Sequence, residues 1–163
     1  MKFKVKNLKI NPAEEAGFFM ERESEIGKKE WRHLLNHLRC YPVYENIYDY
    51  PDVRAKIYVL KKGNGWPEKL LTPGKNYIYV LMRDGEFRFP YYWEGDIHHP
   101  QLAKRKPVIM AGVFGWSSEG LTFIDNKSGC YRPDPFHLNV VKYVLDFYGV
   151  PISMNFMMIE FFH

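Results

Sequence analysis

The period of the apolar positions changes several times along the chain, and each change marks an element. From Lys28 to Arg39, Trp31, Leu34, Leu35 and Leu38 recur at i, i+3, i+4 and i+7, which predicts an amphipathic helix that Pro42 cannot continue. His33 and His37 lie four apart on the face away from that stripe and read as solvated residues, not a metal pair. Upstream, Phe3 and Val5 alternate with Lys2, Lys4 and Lys6 before the phase shifts to Leu8 and Ile10, a strand with a bulge near Asn7. Between Glu14 and Lys29 there is no clean period, so that stretch reads as loop or short helix.

Further on, Ala55 to Leu60 and Asn76 to Met82 read as strands, separated by a Gly63-Asn64-Gly65 turn. Asp84-Gly85 stands before the alternating Glu86-Phe87-Arg88-Phe89 and predicts a tight hairpin, because the pair tolerates positive φ. A second hairpin joins Val108 to Trp116 with Leu121 to Asp125 through Ser117-Ser118-Glu119-Gly120. Asp134-Pro135 opens a helix and Gly149 ends it. One stripe of that helix carries Phe136, Val140, Tyr143, Val144 and Phe147, and Leu138, Val141, Leu145 and Tyr148 cover much of the other side, which predicts a central buried helix over 134–148. Asn155 to Phe162 is a nearly continuous apolar run and reads as an interior strand covered on both faces. The expectation is a single α+β domain over 1–163: a mostly antiparallel sheet packed against one long C-terminal helix, with a shorter N-terminal helix.

Composition sharpens this picture at three points. Aromatic residues make up 17%, so rings must fill much of the core. The net charge of +4 comes from basic residues interleaved with acids, which argues against a nucleic-acid binder and leaves a protein partner as the favoured class. Cys40 and Cys130 are the only cysteines, and a chain of 163 residues has core enough to do without a disulfide, so free thiols in a reducing, cytoplasmic setting are expected. No apolar run reaches membrane-span length, and the charged N-terminus does not look like a signal peptide.

Reactive side chains concentrate between Asp96 and His137. His98 and His99 could act as acid and base, Cys130 as a nucleophile, and Ser128 and Arg132 share the loop that enters the C-terminal helix. The alternative reading of the same residues is structural, with Cys130 packed as a small apolar residue and the histidines at a helix start. His98, His99, His137 and Cys130 are suitable metal ligands by type but lack the usual zinc spacing, so no metal site is assigned, and nothing in the sequence identifies a cofactor. Tyr91, Tyr92 and Trp93, with Lys104, Arg105 and Lys106, are candidates for a binding surface, since Tyr, Trp and Arg are enriched at interface hot spots.

A resemblance is carried by His98-His99, Ala103, Pro107-Val108, Ala111-Gly112, Gly120-Leu121, Ile124, Asn126, Ser128-Gly129, Tyr131, Pro133 and Leu138. Together they resemble a module of plant IQ-motif calmodulin-binding proteins and of bacterial effector- or toxin-associated domains. That module reads His-Ser-Ser-Leu or -Phe, then Ala-Gly-Glu, then Ser-Gly-His-Tyr-x-Pro. Here Pro100-Gln101 replace the Ser pair, Val113 replaces the acid and Cys130 replaces the loop histidine. No Ile-Gln-x-x-x-Arg-Gly segment is found, so calmodulin is not an implied partner. The resemblance implies a fold; the function expected is a small effector-like or partner-binding module whose polar surface is built from residues 96–132, with Tyr131 among the binding residues. The second expectation is a toxin-type transferase or hydrolase using that region as a cleft.

Overall fold

The computed structural model describes residues 29–46 and 48–163. The predicted strand through Phe3, Val5, Leu8 and Ile10, and the stretch from Glu14 to Lys28, lie outside the described residues. Residues 29–38 are helical (α1), and Leu34 and Leu38 from the apolar stripe are fully buried. His37 is not simply solvated. Its ring lies 4.3 Å from that of Tyr143 and 5.4 Å from that of Tyr41, so it is part of an aromatic contact between helices.

Six strands follow: β1 (Ala55–Leu60), β2 (Asn76–Leu81), β3 (Phe87–Trp93), β4 (Met110–Ser117), β5 (Gly120–Asp125) and β6 (Ile152–Ile159). They form one sheet in the order β1-β3-β2-β4-β5-β6, antiparallel at every step except β5 with β6, which is parallel. The Asp84-Gly85 hairpin forms as the sequence predicts: Gly85 has φ +91°, and its amide donates to the Met82 carbonyl at 3.0 Å.

Alternation along the strands divides the interior in two. Tyr77, Tyr79 and Leu81 of β2, with Met110, Phe114 and Trp116 of β4, face a ring-rich core. There Phe89 meets Phe114 edge-on at 5.3 Å, and Tyr79 stacks on Phe87 at 5.0 Å. Leu34 and Leu38 of α1 and Val140, Val141, Val144 and Leu145 pack on this face. The intervening residues, Val80 and Ala111, face a smaller core completed by Leu102 and Ala103 of a short helix α2 (His99–Ala103) and by Cys130 and Tyr131. Arg88 ties β3 to α2 by donating to the Leu102 carbonyl at 3.1 Å.

The C-terminal helix is not the single long one that the sequence predicts. Asp134 caps it as expected, accepting from the Phe136 amide at 2.9 Å, but Pro135–His137 form a 3-10 turn. Only Asn139–Phe147 (α3) is α-helical, nine residues, so the N-terminal helix is not the shorter one. The tighter first turn advances faster per residue than an α-helix. Phe136 therefore leaves the predicted stripe and is exposed; Tyr143, at the edge of α3's buried face, is exposed as well, and the buried set is Val140, Val141, Val144 and Leu145. At the far end the Gly149 amide donates to the Asp146 carbonyl and the Val150 amide to the Leu145 carbonyl, each at 3.0 Å; with Gly149 at φ +72° this is a Schellman ending.

The β6 expectation is also overturned, because the strand lies at the sheet edge and Met154, Met157 and Met158 are exposed. An apolar run looks the same whether a strand ends a sheet or lies within it. Among the described residues no helix is long and apolar enough to cross a membrane.

The closest approach to a sheet glycine is at Gly112. A Cβ on Gly112 would lie 1.9 Å from the Asp125 carbonyl oxygen, whereas a Cβ on Gly129 would meet nothing within 4 Å. Gly112→Ala is therefore expected to cost about 3 kcal/mol or more, in the upper range for overpacking, and Gly129→Ala less than about 0.5 kcal/mol. Urea unfolding of the two variants beside the parent checks this, and equal midpoints for both would contradict the close approach.

Candidate functional site

On the α2 side of the sheet, a cleft of about 530 Å³ opens between α2, the middle of β4 and the loop that follows β5. Its base is apolar: Ile78 and Val113 are directly opposite each other on β2 and β4, and Ile97 precedes α2. Tyr48 and Tyr50 form a wall from a distant segment. That segment is held by Arg105, which donates to the Asp49 carboxylate at 2.7 Å and the Tyr50 carbonyl at 3.0 Å, and by Gln101, which donates to the Pro51 carbonyl. All five residues singled out as catalytic candidates, His98, His99, Ser128, Cys130 and Arg132, line this cleft.

His99 is the first residue of α2 and is buried, with 8% of its surface exposed. Its Nε2 lies 2.8 Å from the Gly112 carbonyl. A carbonyl can only accept, so Nε2 carries the proton and Nδ1 presents a lone pair. Burial pushes this imidazole down to about 4, so it is neutral at physiological pH. Nδ1 meets no hydrogen-bond partner among the described residues, where the one sealed, unpartnered side-chain nitrogen or oxygen is Nε1 of Trp66. Nδ1 is thus an open acceptor in a residue that lines the cleft. His98 caps the same helix and stacks on Tyr50 at 3.8 Å and 8°, while its amide donates to Gln101 Oε1 at 2.7 Å.

The loop from Asn126 to Pro133 is rigid by internal bonding. The Tyr131 amide donates to Ser128 Oγ at 3.2 Å and the Arg132 amide to the Ser128 carbonyl at 2.8 Å, so Ser128 is buried and structural. Tyr131 is buried too, donates its hydroxyl to the Lys106 carbonyl at 2.8 Å, and is pushed up to about 12 by burial. Arg132 adopts φ +47° and donates Nε to the Gly129 carbonyl at 3.1 Å, which leaves its two terminal nitrogens without a partner among the described residues. Asn126, wholly buried, donates Nδ2 to the carbonyls of Pro133 and Phe161 and accepts from the Phe161 amide. The end of the chain thereby clasps the loop.

Cys130 is buried, and burial raises its thiol; its polar neighbour is the Tyr50 hydroxyl. It makes no hydrogen bond to His98 or His99, so the paired thiol and base that covalent chemistry needs are not assembled. Among the described residues no three His, Cys, Asp or Glu side chains gather as a metal site, and His137 Nδ1 is instead hydrogen-bonded with the Tyr44 hydroxyl at 2.9 Å.

The aromatic and basic candidates do not form one patch. Trp93 packs toward the ring-rich core, 6.3 Å from Tyr77, with the Lys75 ammonium 4.3 Å above it. Tyr91 is half-buried, and Tyr92 is exposed with its hydroxyl on Glu94. Lys104, Arg105 and Lys106 are exposed at the end of α2, on the opposite face of the sheet, where Lys104 and Arg105 both take positive φ.

Sequence reasoning missed Tyr48, Tyr50, Lys127 and Asp125. Asp125 Oδ1 accepts from the Val113 amide at 2.8 Å and the Lys127 amide at 3.0 Å, and burial raises its carboxyl. Its position at a strand end beside the singled-out loop was the available signal; the two tyrosines had none.

Because His99 titrates lower when folded than its ordinary value of 6.5, the unfolded chain binds more protons between about 4 and 6.5. Its contribution is complete above pH 6.5 and is lost as pH falls, up to about 3 kcal/mol. His99→Gln, whose amide can still donate to Gly112, should flatten the fall in urea midpoint between pH 6.5 and 4.5; Asp125, raised instead of lowered, acts in the opposite sense in both proteins. An unchanged slope would remove His99 as its source. Limited alkylation at neutral pH should label exposed Cys40 before Cys130, as peptide mapping would read. Comparison with known proteins finds no matching family model, no curated relative and no solved structure of similar fold.

Proposed function

We propose that this domain is an effector-like, partner-binding module whose recognition seat is the cleft between α2, β4 and the Asn126–Pro133 loop, taking an anionic element of a protein partner. The observation that carries the reading is the lining itself: Lys127 and Arg132 contribute cations, and no carboxylate lines the cleft. A low-dielectric wall with one sign of charge concentrates the opposite charge.

The resemblance lends support from a different direction. The residues that carry it, His98-His99, Ala111-Gly112 and Ser128-Gly129-x-Tyr131-x-Pro133, belong to the elements that frame the cleft. Two of the departures, Val113 for an acid and Cys130 for a histidine, also line it. Both replace an ionisable group of the related module with one that is uncharged here, which suits binding better than proton transfer.

A second reading, a toxin-type transferase or hydrolase, is favoured by one observation, the convergence of His98, His99, Ser128, Cys130 and Arg132 on one cleft. In that case His99 Nδ1 would be the proton acceptor.

An array of acidic peptides separates the two. The wild type should retain a subset, Arg132→Ala should lose at least tenfold in affinity for that subset, and Cys130→Ser should bind as the wild type does. Peptides retained equally by Arg132→Ala would refute the cleft as the seat. Mass spectra of the incubated peptides showing cleavage or an adduct that disappears in His99→Gln would establish the enzyme reading instead.

A further inference from the structure

Two polar groups of the cleft that have no partner among the described residues are of opposite kinds, and together they restrict what fits. We infer that the cleft recognises a carboxylate that carries an amide N–H beside it, the chemistry of the free C-terminal residue of a peptide chain. This inference rests on the partner-binding reading of the same cleft and names the group that is read.

The anion side follows from Arg132. With Nε on the Gly129 carbonyl at 3.1 Å, the exposed guanidinium keeps its terminal nitrogens as a planar fork at the border between this cleft and a neighbouring one beside residues 133–137. That fork matches the two oxygens of a carboxylate. Lys127 lines the cleft as well, but its ammonium stands 5.4 Å over the ring of Phe161. The local charge thus suits a monoanion better than a phosphate dianion. The loop amides of Lys127, Tyr131 and Arg132 are already spent on Asp125 and Ser128.

The donor side follows from His99. Its Nε2 is committed to Gly112, which leaves Nδ1 as an acceptor in a residue that lines the cleft and is 8% exposed. An acceptor in such a place is poorly solvated, and a ligand that supplies no donor leaves it unpaired at a cost of about 1–3 kcal/mol. A phosphomonoester dianion or a sulfate brings only lone pairs. A chain-terminal residue brings one N–H next to its carboxylate. Between the two groups, the aliphatic surface of Ile78, Ile97 and Val113 is available to the terminal side chain, which favours an apolar last residue.

The minimal probe is N-acetyl-leucine, titrated into the full chain by isothermal calorimetry and by 15N-resolved NMR of the His99 imidazole. Binding is expected, with Nδ1 perturbed on saturation, at least tenfold weaker binding of N-acetyl-leucine amide, and about tenfold weaker binding by Arg132→Lys, which keeps the charge and loses the fork. A peptide ending in the same residue should bind at least as tightly as the probe if the natural source is a protein terminus; tighter binding of the free acid alone would assign a small N-acyl amino acid. Failure of N-acetyl-leucine to bind overturns the inference, as does equal binding of acid and amide, or binding of inorganic phosphate in its place. In those cases the partner-binding reading survives if acidic peptides still depend on Arg132 and falls if they do not. The N–H is read by 2-acetoxy-4-methylpentanoate, which keeps the carboxylate and side chain and replaces the N–H by an ester oxygen: at least tenfold weaker binding than N-acetyl-leucine is expected, and equal binding would remove His99 from the site.

Discussion

The approach of the Asp125 main chain to Gly112 is the constraint on which the rest of the site depends. With no side chain at Gly112, β5 can bring Asp125 against β4, where its carboxylate takes the Val113 amide and its carbonyl takes the Tyr79 hydroxyl at 2.8 Å from the other core. The Gly112 carbonyl is then the acceptor that holds His99. One missing Cβ therefore fixes a strand junction, a buried tyrosine and the only described histidine that is driven strongly to its neutral form.

From that junction outward, the cleft is built by layers that are each satisfied before the next is added. Sheet residues supply an apolar floor, α2 brings a histidine whose outer nitrogen is left open, and the following loop spends its polar groups on itself and presents a fork. Buried polar groups in such a setting are costly unless paired. Asn126, Ser128, Tyr131 and Asp125 are all paired within the protein. His99 Nδ1 and the Arg132 terminus are left without a partner among the described residues, and these two groups give the site its chemistry.

Much of this was legible in the sequence where the signal is local. The Asp84-Gly85 hairpin, the strands around Gly112, the Asp134 cap and the Gly149 ending are short-range patterns, and they form where those patterns place them. The five clustered residues of the site were within reach because two short segments carry them. What failed depends on long-range context. Whether Asn155 to Phe162 ends a sheet or fills it depends on what lies beyond it, and no residue in the run records that. The 134–148 helix is shortened by a turn whose carbonyls bond three residues on, and His137 in that turn meets Tyr44, 93 residues away. Tyr48 and Tyr50 reach the cleft by similarly distant bonds, through Arg105 and Gln101.

The clasp at Asn126 has a consequence for how the site comes into being. Its walls are drawn from residues 48–50, 97–99, 113 and 127–132, and the loop among them is pinned by Phe161 and His163. Pieces so far apart in sequence close their loops late and at an entropic cost that local structure does not repay. No excised fragment would hold the cleft, and its assembly is coupled to completion of the sheet. A ligand that binds only the finished cleft would then stabilise the whole cooperative unit, raising its melting temperature in proportion to the logarithm of ligand concentration above saturation.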